Sequence, residues 1–362
     1  MIAKRTPKSD NARAFSPKSS NLSEQIQFAG KPVALVREAE VQVHLSLEDA
    51  ILDSRAALED LGRNEAVNCI RTRIESRDRE TAWLHTLRAG MPKKGVAGGK
   101  DYTSVKFDTP AMWATVVDLK SGLPVAFVEA DYLSRARTAA VTAIATDLLA
   151  PPNPNCLAHF GVGKISELLV KGVLKVRPSI QKVFLVRRNT SNKAPDWVDE
   201  LEGQVQIGVV ERERALSEAD LVTTATNSRE PVIPTHAAMP HVRHINLIGS
   251  NHLKRHEISE ALARRCLPPD GYLVVDDKQQ AKLEAGDFAG LVESGELRWD
   301  QVPTLAEILI DPEKCLNAAL TIFKSVGMGL MDLAVAAGVL RRMGLLHTPH
   351  LKNEATHFHQ SR

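Results

Sequence analysis

Cysteine is scarce and spaced for no obvious chemistry. The four present, Cys69, Cys156, Cys266 and Cys315, form no C-x-x-C pair. That argues against a disulfide framework or a zinc site and points to reduced thiols in the cytoplasm. An excess of one charge sign is also missing: the net charge is only +2, which argues against a dedicated nucleic-acid binder. No apolar run approaches the ~20 residues that span a bilayer, so no membrane partner is expected. No metal site is expected either; the four histidines of HTPHLKNEATHFHQSR read as part of a solvated tail.

What is there is ordinary for a globular protein, 43% hydrophobic and 25% charged over 362 residues, and that length suggests about two domains. Residues 1–30 stand apart, rich in Ser, Lys, Arg and Asn, and are expected to form a disordered tail. They lack the apolar core of a secretory signal, and Pro7, Asp10 and Pro17 interrupt any amphipathic transit helix. Residues 347–362 are expected to be a second tail.

KPVALVREAEVQVHL (31–45) alternates as a strand does. Ser46-Leu47-Glu48-Asp49 then opens a helix with a capping-box pattern and an apolar stripe from Ala50 to Leu61. Residues 66–130 read mostly as strands, with a hairpin turn at Lys120-Ser121-Gly122. RTAAVTAIATDLLA (137–150) is a small-residue helix, stopped by the linker PPNPN. From 151 to 306 short apolar strands alternate with helices, the pattern of an open parallel α/β sheet. The closing strand-turn-helix, TIFKSVGMGLMDLAVAAGVLRRMG, has an apolar face in need of a partner. It is expected to fold back on the first part of the chain. The predicted domains are therefore 31–150 with 307–346, discontinuous and α+β, and 151–306, an α/β Rossmann domain.

HFGVGKISELL places Gly161-Val162-Gly163-Lys164-Ile165-Ser166 between an apolar strand and a helix. In that context the glycines permit a tight turn and close approach of a pyrophosphate to the helix N-terminus. Ser166 stands where a third glycine is usual. The next strand ends in Arg187-Arg188-Asn189-Thr190, without the acidic residue that accepts from an NAD ribose hydroxyl. Two guanidinium groups suit a 2′-phosphate, so NADP(H) is favoured, with NAD(H) the alternative.

Several blocks together resemble the ornithine cyclodeaminase/mu-crystallin family. They are Gly99-Lys100 after the His85 strand, GLPVAFVEADYL before Arg137-Thr138-Ala139-Ala140, the GVG loop, ADLVTTATNSREPVI, INLIG, VVDD, Ala285-Gly286-Asp287 and FKSVGMGLMDLA. The resemblance spans roughly residues 35–345. It implies a Rossmann domain plus a discontinuous domain that binds substrate and dimerises, acting on the Cα–N bond of amino or imino acids with a nicotinamide. By resemblance Arg71 holds the substrate carboxylate, with Arg73 a competing candidate. Lys100 touches the carboxylate and the reacting nitrogen, with Lys106 the alternative. Arg137 and Thr138, read as the start of a helix, sit beside the carboxylate and the cofactor diphosphate. Thr224, Ala225 and Thr226 close a strand at the cofactor edge, and Ser250 and Asn251 follow another.

The chain departs from the family at Leu87-Arg88-Ala89, where Met-Pro-Ala is usual, and in a shorter lysine loop. At Asn251 the cyclodeaminases carry an aspartate. An amide accepts no proton, so Asn251 can orient a substrate or a carboxamide but cannot serve as the base; His252, beside it, is an uncertain substitute. The expected function is therefore NAD(P)H-dependent reduction of a cyclic ketimine such as a pyrroline- or piperideine-2-carboxylate. The alternatives are an ornithine or lysine cyclodeaminase, an alanine-dehydrogenase-like oxidoreductase, and a cofactor-binding protein without turnover. A homodimer is expected, with the strand-rich N-terminal region and the 328–344 helix at its interface.

Overall fold

A computed structural model describes residues 24–74, 83–104, 111–188, 194–234, 239–249, 251–269, 271–315 and 318–347. The expectations for residues 1–23 and 348–362, and for Lys106, Asn189, Thr190 and Ser250, fall outside the described residues.

Two sheets organise the chain. The first contains β1 (Glu24–Phe28), β2 (Lys31–Val36), β3 (Val67–Asn68), β4 (Thr72–Ile74), β5 (Trp83–Met91), β6 (Val96–Ser104), β7 (Met112–Asp118) and β8 (Pro124–Glu129). Its order is β1-β2-β8-β7-β6-β5-β3, with β4 also on β5. The second contains β9 (Cys156–Phe160), β10 (Lys182–Val186), β11 (Gln206–Val209), β12 (Leu221–Thr224), β13 (His244–Leu247), β14 (Gly271–Val275) and β15 (Leu320–Lys324). Its order is β11-β10-β9-β12-β13-β15-β14, and every pairing is parallel. The helices are α1 (Glu38–His44), α2 (Leu47–Gly62), α3 (Asp131–Leu149), α4 (Ser166–Val176), α5 (Arg212–Glu218), α6 (Glu260–Arg264), α7 (Lys278–Glu284), α8 (Ala289–Glu293), α9 (Leu305–Ile310) and α10 (Gly329–Arg342). This is the expected mixed α/β architecture with a Rossmann-like parallel sheet. Strand order reverses between β9 and β12, which opens a crevice at the carboxyl ends of those strands.

Local chemistry explains these elements. Ser46 caps α2 as expected, its hydroxyl accepting from the Asp49 N–H at 3.0 Å. LTIFK is buried at every residue and pairs on both sides, so it forms an interior strand. α10 then returns to the first sheet, lying on β5, β6 and β7 with α2 and α3 beside it. α3 is buried continuously from Ala136 to Thr146 and carries Ala136, Ala139, Ala140, Ala143 and Ala145. Its small side chains let α4 approach until a Cβ on Gly172 would lie 3.2 Å from the Ala139 carbonyl oxygen.

Four expectations need correction. Residues 24–28 form β1 on the edge of the first sheet rather than part of a tail; Ile26 and Phe28 alternate with polar residues inside a stretch whose composition hid them. Residues 38–44 are helical, not extended. The Arg37 N–H donates to Glu40 Oε2 at 2.8 Å, and only Val41 of the two valines is buried, Val43 being 78% exposed. β15 belongs to the second sheet although it falls within 307–346: it pairs in parallel with β13 and β14, and all five of its residues, Lys324 among them, are buried. Arg137 and Thr138 do not begin a helix: α3 starts at Asp131, one residue after its N-cap Ala130. Their own backbone groups are spent inside the helix.

Because the α3–α4 contact leaves no room for a branched side chain, Gly172→Val should destabilise the protein by about 1–3 kcal/mol. Urea unfolding measures this; a change under about 0.5 kcal/mol, the range of a neutral surface substitution, would refute the packing argument.

Candidate functional site

A cavity of about 1150 Å³ occupies the crevice and runs between the two sheets. One end is built on the loop after β9. Gly161 has φ +99, and its N–H donates to the Val186 carbonyl at 2.9 Å. A Cβ there would sit 2.6 Å from the Ala225 carbonyl oxygen, so only glycine lets the β9 and β12 loops meet. Nothing lies within 4 Å of a Cβ built on Gly163, which leaves that backbone open to a ligand. Ser166 does more than pack: its hydroxyl donates to the Gly161 carbonyl at 3.0 Å and ties the loop to α4. Val162, Ile165, Arg187 and Arg188 line this end, joined by Arg212 at the start of α5. These residues fit a dinucleotide: open backbone before a helix for the phosphates, and guanidinium groups beyond β10 for anionic oxygens.

The other end is cationic. Arg71, Lys100 and Arg137 all line it, each less than a tenth exposed. They come from three parts of the chain: the segment after β3, the middle of β6, and α3. Gly327, with φ +87, forms the floor between two of them. A Cβ on it would lie 3.1 Å from Arg71 Nη2 and 3.5 Å from Arg137 Nη1. The turn is fixed from below by Asp276, which accepts from the Ser325 hydroxyl at 2.8 Å and from the Val326 and Gly327 N–H groups at 2.9 and 2.7 Å.

Each cation has an acidic neighbour behind it. Arg71 Nη1 donates to Glu284 Oε2 at 2.7 Å and Nη2 to the Val326 carbonyl at 2.7 Å. Arg73, the competing candidate, pairs with the other Glu284 oxygen and does not line the cavity. Lys100 Nζ lies 3.0 Å from Asp332 Oδ1, and Arg137 Nε donates to the same oxygen at 2.9 Å. Burial pushes the Lys100 ammonium down to about 8, with Arg137 and Arg71 adding to the effect and Asp332 opposing it. His85 is pushed down to about 4, first by burial and then by Arg73, Arg71 and Lys100, and it stacks on Tyr102 at 4.2 Å.

A family model, the ornithine cyclodeaminase/mu-crystallin family, matches residues 33–344. The chain belongs to that family. A family relative, the Delta(1)-pyrroline-2-carboxylate reductase of Bacillus cereus, is 31% identical over 226 residues, which are 60% of this chain and 67% of the relative. A probable ornithine cyclodeaminase from Bordetella pertussis superposes with a TM-score of 0.76 at 26% identity, covering 86% of this chain and 97% of that one. The Thermococcus litoralis Delta(1)-pyrroline-2-carboxylate reductase, solved with NADH and L-proline, also gives 0.76, at 23% identity over 85% and 96% of the two chains. At that identity the last likeness speaks for the shared fold.

Of the residues expected at the family's site, Arg71, Lys100, Arg137, Thr138, Gly161, Val162, Gly163, Ile165, Arg187, Arg188, Ala225, Thr226 and Asn251 line one cavity. Two do not. Thr224 is buried within β12, where its hydroxyl donates to the Asn246 carbonyl at 3.4 Å. Lys164 lines a neighbouring cleft with Asp131, Arg135 and Trp197, while Ile165, next to it, lines the main cavity. Ser134, Glu284, Asp332 and Gly327 escaped the sequence reading. Asp332 had a usable signal, a single carboxylate inside the apolar run of α10, where an unpaired charge would be prohibitive.

Burial also sets an acid sensitivity. His159 and His244 are fully buried and pushed down to about 4 from 6.5, burial being the first cause for both. They stay neutral in the fold, while the unfolded chain binds protons below about pH 6.5. Stability should therefore fall as pH drops from 6.5 towards 4. Between pH 7 and 5 the loss should be roughly 1–2 kcal/mol per histidine. Urea unfolding of wild type at the two pH values measures the total, and His159→Gln should show a smaller drop; an unchanged slope would contradict the burial argument.

Proposed function

We propose that this protein is an NAD(P)H-dependent reductase of imino acids, acting on a cyclic ketimine carboxylate of the pyrroline-2-carboxylate or piperideine-2-carboxylate type. The observation that carries the reading is the polarity of one cavity. Three buried cations stand at one end and a dinucleotide-binding loop at the other. Arg71, Lys100 and Arg137 bind and orient the carboxylate, and the Gly327 floor gives its oxygens room between the guanidinium groups. The reduced nicotinamide, when bound, supplies the hydride. Lys100, lowered to about 8, still carries a proton at neutral pH and can be the source of the one that the imine nitrogen takes up. Asn251 lines the cavity with an amide where the cyclodeaminases have a carboxylate, which supports reduction over ammonia release. The relative from Bacillus cereus carries the same activity in its name.

Arg187 and Arg188, with Arg212 beside them, support NADP(H) over NAD(H). We also propose a homodimer through the outer face of the first sheet, without the 328–344 helix that was expected to share the interface, since that helix is buried from Gly329 to Leu340. On that outer face Leu35, Phe127 and Thr115 are paired in register and half-exposed, opposite the face that packs on α10. The buried thiols Cys156 and Cys266 are free, as suits the cytoplasm. No helix among the described residues is long and apolar enough to cross a membrane.

Incubation with pyrroline-2-carboxylate and NADPH should oxidise the cofactor and form proline. NADPH should be preferred to NADH at least about tenfold, since a charge-assisted bond contributes roughly 1.5–3 kcal/mol, and Arg187→Ala/Arg188→Ala should abolish the preference. Release of ammonia and proline from ornithine, without net cofactor change, would instead establish the cyclodeaminase. Light scattering at micromolar concentration should report a dimer and Phe127→Glu should yield monomer; a wild-type monomer would remove that part of the proposal.

A further inference from the structure

Lys100 does not stand alone against the cavity. Its Nζ donates to the Ser134 hydroxyl oxygen at 2.6 Å and lies 3.0 Å from Asp332 Oδ1. Ser134 is on the first turns of α3 and lines the cavity, whereas Asp332 is fully buried behind it on α10. The three groups are therefore in file from protein interior to ligand space. Because the serine oxygen accepts from the lysine, its own hydrogen is free to point elsewhere. Asp332 Oδ2 has no hydrogen-bond partner among the described residues, so this carboxylate is held by Oδ1 alone, between Lys100 and Arg137.

We propose that Asp332, Lys100 and Ser134 form a proton line, in which the Ser134 hydroxyl touches the imine nitrogen and Asp332 is the positioning residue that keeps Lys100 charged. The inference rests on the imine-reductase reading and deepens it. As the hydroxyl proton passes to the imine nitrogen, a proton moves from Lys100 Nζ to Ser134 Oγ. The serine is restored and the lysine left as a neutral amine. The reduced nicotinamide, when bound, would supply hydride to the imine carbon, and the C=N π pair would become the nitrogen lone pair. Lys100 then regains a proton from solvent. The balance is imine, reduced cofactor and one proton giving amine and oxidised cofactor.

The charges around Lys100 decide the pH dependence. Asp332 faces it from α10 and Arg137 from α3; Arg71 adds a further positive charge from the segment after β3. On its own strand the Tyr102 ring lies 5.6 Å from Nζ, and His85 stacks on that ring from β5. Asp332 is thus the anion within ion-pair distance of Nζ among the described residues, and the other charged groups favour the neutral amine. Removing its charge moves Lys100 deprotonation to lower pH.

The test uses the full-length enzyme. Ser134→Ala should lower kcat for pyrroline-2-carboxylate reduction about 100-fold at pH 7, the scale of one lost proton-transfer group, with little change in KM. Ser134→Thr, which keeps a hydroxyl, should retain most turnover. Asp332→Asn should move the alkaline limb of kcat to lower pH by at least about one unit, and the Lys100 titration followed by NMR in 15N-lysine-labelled protein should move with it. A limb belonging to the free imine would not respond to Asp332. Wild-type kcat in Ser134→Ala, equal losses in the alanine and threonine variants, or an unmoved Lys100 titration in Asp332→Asn would each overturn the line while leaving the reductase standing. Failure of wild type to reduce any imino acid with either cofactor would overturn both.

Discussion

Keeping Arg71, Lys100 and Arg137 charged away from water is the constraint on which the inner end of the cavity depends. Desolvating an ion costs several kcal/mol even after relaxation. The fold meets that cost with two carboxylates placed behind the cations, Glu284 and Asp332, rather than in front of them. The cations are thereby satisfied enough to be buried, yet all three still line the cavity. Lys100 sits nearest the limit, which is why burial lowers it to about 8, a value at which it is still protonated at neutral pH.

The same logic runs beneath the cofactor end. Glu257, fully buried, accepts from the Thr226 N–H at 2.8 Å and the Gly249 N–H at 2.9 Å, drawing together the ends of β12 and β13. Asp287 accepts from the Glu257 N–H and pairs with the fully buried Lys324 of β15. Asp276 fixes the turn that carries Gly327. Acids that never reach the ligand thus set the shape of the walls that do. Their contribution is geometric, since a buried pair is worth less as net stability than as a constraint on where backbone can go.

The two sheets divide the labour. The parallel sheet presents loop ends, where backbone N–H groups and glycines can approach phosphates closely. The first sheet presents the flat middle of β6, from which a single lysine projects inward. α3 belongs to both: its small residues pack against α4 at one end, and Ser134, Arg137 and Thr138 face the cavity at the other.

Much of this was readable in the sequence by itself. The strand-loop-helix context of Gly161 and Gly163 determined the dinucleotide loop, because a tight turn before a helix has few chemical solutions. The alternation of short apolar strands with helices determined the parallel sheet, whereas Arg71, Lys100 and Arg137 were picked out by resemblance to the family and not by any local pattern, Arg73 and Arg135 lying two residues from the first and the last. Tertiary structure alone decided which acids pair with those cations: Glu284 and Asp332 lie more than two hundred residues away from Arg71 and Lys100, and no local pattern encodes a partner at that separation. It also decided that Thr224 is wall filling, that β15 crosses back into the second sheet, and that residues 38–44 coil although their valines alternate. Burial is a property of the folded whole, and each of those outcomes follows from which side chain found a neighbour to bury against.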